Sequence, residues 1–363
     1  MVRFENALAR HVLPARRRLA IRMLWFDLGV PKDVLFFKPF IERLTDRGES
    51  LLVTSRGGED FRELSTLLRV HHLDAVVVGE YGGGALARKL QASLDRQLGL
   101  LELVKGNPVD RLITFANVDS CRVAFGLGIP VVNFCDLPTK GDGKPLTPVA
   151  RLTLPLSAKV LHPFVVPETI FTRFLETADV IRYDFLDPVL YLREQTPDRS
   201  LIGALPLDAT KKTVCFREEE YMASYVTSTQ DWVFEALGRL DVNLIVIPRY
   251  GSERIRQALP DSIVVDSGVE LSAVLPFVDV MIGGGGTINI EAAYWGTPVI
   301  STRSFVSHYD QYLISQELMC HADSTERFTD LFKKLSGRRT DSSILRAQAK
   351  KVNIDSLFHS MGV

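Results

Sequence analysis

Residues 281–300 read MIGGGGTINIEAAYWGTPVI. Gly283, Gly284, Gly285 and Gly286 lie between an apolar strand-like run and a helix-like run, followed by Thr287 and Glu291. The first N–H groups of a helix lack internal acceptors and carry the positive end of its dipole. Glycines remove side chains there, so an anion can approach those N–H groups closely. Thr287 can cap the helix or donate its hydroxyl to a phosphate oxygen. Glu291 falls on the same face, and helical side chains lean back toward the N-terminus. A carboxylate repels phosphate but accepts hydrogen bonds from sugar hydroxyls. Diphosphate at the glycines with a ribose diol on Glu291 describes a sugar nucleotide. The alternative is a tight strand-to-helix turn, with Glu291 an ordinary acid that favours the dipole. No Lys follows the glycines as in a Walker loop, and the full G-x-G-x-x-G fingerprint is absent.

The elements that must position such a site alternate along the chain. AIRMLWFDL (20–28) predicts a strand. PKDVLFFKPFIERLTDRG after it predicts a helix, with Val34, Phe37, Phe40, Ile41 and Leu44 at helical spacing and a kink at Pro39. SLLVTS, DAVVVG, RLITFA and IPVVNF follow as strands separated by helical stretches. AKVLHPFVV and DVIRYDF continue the pattern less regularly, and alternation restarts at KKTVCFRE. This order implies parallel sheets covered by helices on both faces. Ligands in such sheets bind beyond the carboxyl ends of the strands. Asp27, Asp119 and Asp136 stand at strand ends and are candidates for a general base. Arg56, with Gly57 and Gly58, offers an anion site or a solvated loop. Asp33 falls in a first helical turn, where a carboxylate also favours the dipole.

Length and composition narrow the class. With 363 residues, two domains are expected. The predicted division is an N-terminal extension over 1–19, an acceptor-side domain over 20–186, and a linker over 187–200. A nucleotide-sugar domain over 201–340 and a C-terminal helix over 341–363 complete it. A formal net charge of −1 argues against a general nucleic-acid binder. The four cysteines show no C-x-x-C spacing, so neither a zinc site nor a disulfide framework is indicated, and a cytoplasmic setting is the default. No uncharged apolar stretch reaches the roughly 18 residues of a membrane span. Arg16, Arg17 and Arg18 leave room for peripheral contact with anionic lipid or polymer.

The segment DVMIGGGGTINIEAAYWGTPVIS resembles the donor-binding segment of the GT-B superfamily, which includes sugar-nucleotide glycosyltransferases and non-hydrolysing UDP-N-acetylglucosamine 2-epimerases. LWFDLGVPKDVLFFKPFIERLTDRGESLLVTSR, RVAFGLGIPVVNFCD and RLTLPLSAKVLHP resemble the domain-of-unknown-function 354 family, over roughly residues 23–322. The resemblance implies two Rossmann-like domains facing across a cleft. It implies diphosphate on Gly284, Gly285, Gly286 and Thr287, and ribose on Glu291. Arg217 in CFREEE and Arg249 in LIVIPRY are the matching phosphate candidates. His308 follows PVIST in the loop where GT-B proteins contact the donor sugar. Relatives often carry His after strand one, where this chain has Asp33 and Leu35. The epimerases also begin the CFREEE loop with His-Arg, and this chain has no His there.

The leading expectation is a metal-independent glycosyltransferase with a nucleotide-sugar donor, a UDP-sugar favoured, in glycan or surface-polysaccharide synthesis. Asp27, Asp119 or Asp136 would take the proton of a glycan, lipid or small-molecule acceptor. No bound cofactor is expected. The alternatives are an epimerase-like enzyme and a non-catalytic nucleotide-sugar-binding protein.

Overall fold

The computed structural model describes residues 23–58, 62–222, 226, 231–265 and 271–363. The extension 1–19 lies outside the described residues. The first half runs β1 (Met23–Leu28), α1 (Pro31–Asp46), β2 (Ser50–Gly57), α2 (Arg62–Val70), β3 (Val76–Glu80), α3 (Leu86–Val104) and β4 (Val109–Thr114). It continues with α4 (Val118–Gly126), β5 (Val131–Phe134), α5 (Pro148–Thr153), β6 (Lys159–Pro163) and β7 (Val180–Tyr183). These strands pair in parallel in the order β3-β2-β1-β4-β5-β6-β7.

Two short helices, α6 (Asp187–Leu192) and α7 (Ser200–Gly203), lead to the second sheet. Its elements are β8 (Thr213–Arg217), α8 (Asp231–Gly238), β9 (Asn243–Ile247), α9 (Glu253–Ala258), β10 (Ile263–Val264) and β11 (Val280–Gly283). Then come α10 (Gly286–Tyr294), β12 (Val299–Ser301), α11 (His308–Ser315), β13 (Cys320–His321) and α12 (Thr325–Leu335). The order is β10-β9-β8-β11-β12-β13, again parallel. Strand β9, NLIVI, is buried at every residue, as a parallel strand covered on both faces must be. Each sheet reverses its strand order once, between β1 and β4 and between β8 and β11. Open α/β sheets bind ligands at such reversals. They select the loops after Leu28, Thr114, Arg217 and Gly283.

Helix α1 buries the expected Val34, Phe37, Phe40, Ile41 and Leu44, and continues through Pro39 as one helix. Phe36 meets the rings of Phe37, Phe40, Phe115 and Phe134 at centroid distances of 4.8–5.6 Å. Burying one such ring is worth about 2–3 kcal/mol. The segment 187–200 does not read as a linker throughout. All six residues of α6 are buried, against α1 on one side and α10 on the other. Only from Arg193 onward does it open to solvent. The last helices, α13 (Ser343–Gln348) and α14 (Ile354–Met361), carry the chain back to the first sheet. Phe358 packs edge-on against Phe40 at 5.5 Å, and Lys159 Nζ donates to the Ser360 carbonyl at 3.3 Å.

Candidate functional site

The Gly-rich turn is bare because of space, not backbone conformation. None of its four glycines has a left-handed φ. A Cβ on Gly284 would stand 2.6 Å from the backbone nitrogen of Glu219, so this position is closed by the neighbouring loop. At Gly285 the nearest atom would be Ile288 Cγ2 at 3.8 Å, an ordinary contact. Gly285 therefore leaves room for a ligand atom. It is the N-cap, with extended backbone, and α10 begins at Gly286. Thr287 is accordingly the second helical residue and not the cap expected of it. Gly284, Gly285, Gly286 and Thr287 all line a cavity of about 310 Å³ between the two sheets.

Cations gather at the same end of the cavity. Arg217 ends β8 and donates to the Pro248 carbonyl at 2.9 Å. Its other terminal nitrogen reaches Glu63 of α2 at 2.6 Å, and Arg249 approaches the same carboxylate oxygen at 3.6 Å. Arg249 also pairs with Glu220 at 2.8 Å. Burial raises the proton affinity of Glu63, but Arg217 and Arg249 outweigh it and hold the carboxyl below its ordinary pKa. The pair ties the first half of the chain to the second. Arg303, after β12, adds a further cation beside Gly286 and is held by Asp310 at 3.2 Å.

Glu291 lies deeper in α10 and is 7% exposed. It accepts a 2.7 Å hydrogen bond from the Tyr191 hydroxyl of α6. Burial raises its pKa from 4.5 to about 7, against the lowering effect of Tyr191. The opposite wall carries a different chemistry. Lys32 Nζ lies 2.7 Å from Asp136 and 3.2 Å from Asp187. Burial lowers the Lys32 pKa, but these carboxylates and Asp33 outweigh it, and the ammonium is held firmly charged. Asp33 accepts from the Gly29 and Val30 N–H groups and from Asn117, all on Oδ2, while Oδ1 has no hydrogen-bond partner. Burial lifts its pKa to about 7. The cavity thus has one end lined by Arg217, Arg249 and Arg303 and another lined by Lys32, Asp33, Asp136 and Asp187.

Four expected site residues stand outside this cavity lining. Asp27 is fully buried, paired with Arg96 at 2.6 Å and bonded by the Thr54 hydroxyl at 2.6 Å. It is a core ion pair and no base for an acceptor. Asp119 accepts from Ser93 and faces Arg96 at 3.7 Å, turned toward α3. Arg56 donates to the Gly29 carbonyl at 2.8 Å and lies over the Tyr81 ring. His308 opens α11, where Nε2 meets the Thr139 hydroxyl at 3.1 Å and Nδ1 lies 3.4 Å from Asp142. Burial lowers its pKa. Asp136, Arg217, Arg249, Glu291 and the turn do converge on the cavity.

Residues 22–356 match the family described as a protein of unknown function, DUF354. The chain belongs to that family. An uncharacterized protein of Methanocaldococcus jannaschii, MJ0665, is 25% identical to this DUF354 protein over 325 residues, covering 87% of this chain and 92% of the relative. The fold is that of the GT-B epimerases and glycosyltransferases. The UDP-GlcNAc 2-epimerase of Neisseria meningitidis, solved with UDP-GlcNAc, superposes with a TM-score of 0.71 at 12% identity, over 93% of this chain and all of that one. The spinosyn rhamnosyltransferase SpnG gives 0.59 at 15% identity, over 94% and 100%.

Sequence reasoning left Lys32, Asp187, Tyr191 and Arg303 of the DUF354 site unassigned. Arg303 lies two residues beyond the end of β12, so the strand-end reading that picked out Arg56 would also have found it. Lys32 sits in the loop-to-helix junction after β1, beside Asp33. Asp187 and Tyr191 were hidden in a segment read as a linker, although DPVLYL is an apolar helical turn with Pro188 at its start.

Proposed function

We propose that this DUF354 protein is a metal-independent GT-B glycosyltransferase that takes a nucleotide-sugar donor, a UDP-sugar favoured, in glycan or surface-polysaccharide synthesis. The observation that carries the reading is Gly285, an open N-cap at the β8/β11 reversal, with Arg217 and Arg249 beside it. Diphosphate oxygens accept hydrogen bonds from the first N–H groups of α10 and from the guanidinium groups. Ribose hydroxyls donate to the Glu291 carboxylate. In transfer, an acceptor oxygen bonds to the anomeric carbon while the bond from that carbon to the phosphate oxygen breaks. The electron pair leaves with the diphosphate, where fixed cations and helix N–H groups stabilise it. Asp136 receives the acceptor proton, and Lys32 holds Asp136 in place.

A second reading, an epimerase-like reaction at C2 of a UDP-HexNAc, draws on Asp33. A carboxyl titrating near neutral pH suits proton transfer to and from carbon. Turnover of UDP-N-acetylglucosamine in D2O separates the two. Deuterium at C2 without acceptor identifies epimerisation, whereas UDP release that requires an acceptor identifies transfer. Calorimetry with UDP and UDP-N-acetylglucosamine tests the shared donor site. Absence of binding to both refutes the uridine assignment, and absence with other nucleotides refutes the site.

A further inference from the structure

Helix α3 carries a row of leucines that the described residues leave uncovered. Leu86, Leu90, Leu94 and Leu98 are 82%, 62%, 48% and 62% exposed. Residues four apart are neighbours on a helix surface, so the four form one ridge about 18 Å long. The helix is otherwise well anchored, with Arg96, Leu100 and Val104 buried on its inner face. Beside it, β3 is the edge strand of its sheet, and Val76 and Val77 are 46% and 58% exposed. An apolar ridge beside an apolar open edge is a surface that folded proteins ordinarily cover.

The charges around the ridge say what covers it. Arg88, Asp95, Glu102 and Lys105 are exposed along it, two of each sign. The positive Arg88 lies toward the N-terminal end of α3 and the negative Glu102 toward its C-terminal end. An antiparallel copy of the same helix, crossing near Leu94, sets Leu90 against the partner's Leu98. It also brings Arg88 near the partner's Glu102. A balanced flank of this kind complements itself. It does not complement the chain's own N-terminal 22 residues, which carry six arginines and one glutamate. We infer that the leucine ridge of α3 is a homodimer interface in which two copies of the helix pack antiparallel. A two-fold arrangement uses one patch twice, as this one can be used. The same helix begins at the site's flank, where Lys89 Nζ donates to the Met222 carbonyl of the second half.

The test is the mass of the full chain in solution, by light scattering after gel filtration, at roughly micromolar concentration and above. The expected mass is twice the 40.6 kDa of one chain. Leu90→Glu with Leu94→Glu is expected to give a monomer with an unchanged circular-dichroism spectrum and a thermal midpoint that no longer depends on protein concentration. Arg88→Glu is expected to weaken the dimer roughly tenfold, since two symmetry-related pairs become repulsive. Adding Glu102→Arg restores it only if the helices are antiparallel. A monomeric wild-type chain overturns the inference, as does a dimer untouched by the leucine changes. A dimer that the charge swap fails to restore overturns the antiparallel arrangement.

Discussion

Glu291→Gln is the most informative single change. Its pKa rises from 4.5 to about 7 on folding, chiefly because burial disfavours the ionised carboxylate. At about 1.4 kcal/mol per tenfold change in proton affinity, ionised Glu291 costs the folded state about 3 kcal/mol. The sign follows from linkage: a raised pKa means that the folded state holds the proton more tightly. The stability is fully present below pH 4.5 and is lost as pH rises toward 7. Glutamine keeps the size and an oxygen for the Tyr191 hydroxyl but cannot ionise. Allowing for desolvation of its amide, the variant should be more stable by about 2 kcal/mol at pH 8 and no more stable at pH 4.5. At ~2–4 °C per kcal/mol, thermal unfolding at the two pH values resolves the difference. Equal stabilities at pH 8 would show that Glu291 carries no buried charge, and the reasoning would fail. If hydroxyls of a bound ribose donate to this carboxylate, UDP binding must also release protons near pH 6.5. Calorimetry in buffers of different ionisation enthalpy reads that release, and Glu291→Gln should abolish it.

Glu63 occupies the guanidinium groups that a diphosphate would need, so Glu63→Gln should tighten UDP binding by roughly fivefold or more, read by calorimetry; weaker binding would make Glu63 a supporting residue of the site. Gly285→Ala should fold normally, because its Cβ meets only Ile288 at 3.8 Å, yet lose at least about tenfold in UDP affinity by blocking the anion's approach. Gly284→Ala, 2.6 Å from the Glu219 backbone nitrogen, should instead lower the unfolding midpoint. Asp136→Asn should abolish turnover while leaving UDP affinity within about twofold, since the Arg-rich end holds the nucleotide. Asp27→Asn should destabilise by about 3 kcal/mol, because Arg96 loses its close charged partner in the core and keeps only Asp119 at 3.7 Å, and urea unfolding reads this.

The fold was legible because it is written in local pattern. Runs such as NLIVI and VVNF are unbroken apolar strands, and PKDVLFFKPFIERLTD carries its buried face at helical spacing. The position of the Gly-rich turn was legible for a similar reason. A run of four glycines between a strand and a helix marks a place where backbone must be approached closely, and the β8/β11 reversal puts that turn where α/β sheets bind ligands. The assignment of Asp27 failed because a strand end has two fates. The sheet can point the side chain at the cleft or bury it, and the choice here is made by Arg96, nearly seventy residues away in α3.

The same limit explains why Asp136 was picked out alone, without Lys32 and Asp187 beside it. Lys32, Asp136 and Asp187 come from three separate loops and helix starts, and no spacing in the chain relates them. Each has an ordinary local reading: a first-turn lysine, a strand-end acid, a helix-start acid. Their chemistry arises only when α6 is buried between α1 and α10, bringing Asp187 to within 3.2 Å of Lys32 and Tyr191 to within 2.7 Å of Glu291. That helix therefore couples the two ends of the cavity. A substitution that loosens α6 should disturb proton transfer and ribose recognition together, whereas Asp136→Asn should disturb only the first. Comparing kcat and UDP affinity for Leu190→Ala against Asp136→Asn decides whether α6 unites the two ends. If Leu190→Ala leaves UDP affinity unchanged, the ends are independent and the burial of α6 serves stability alone.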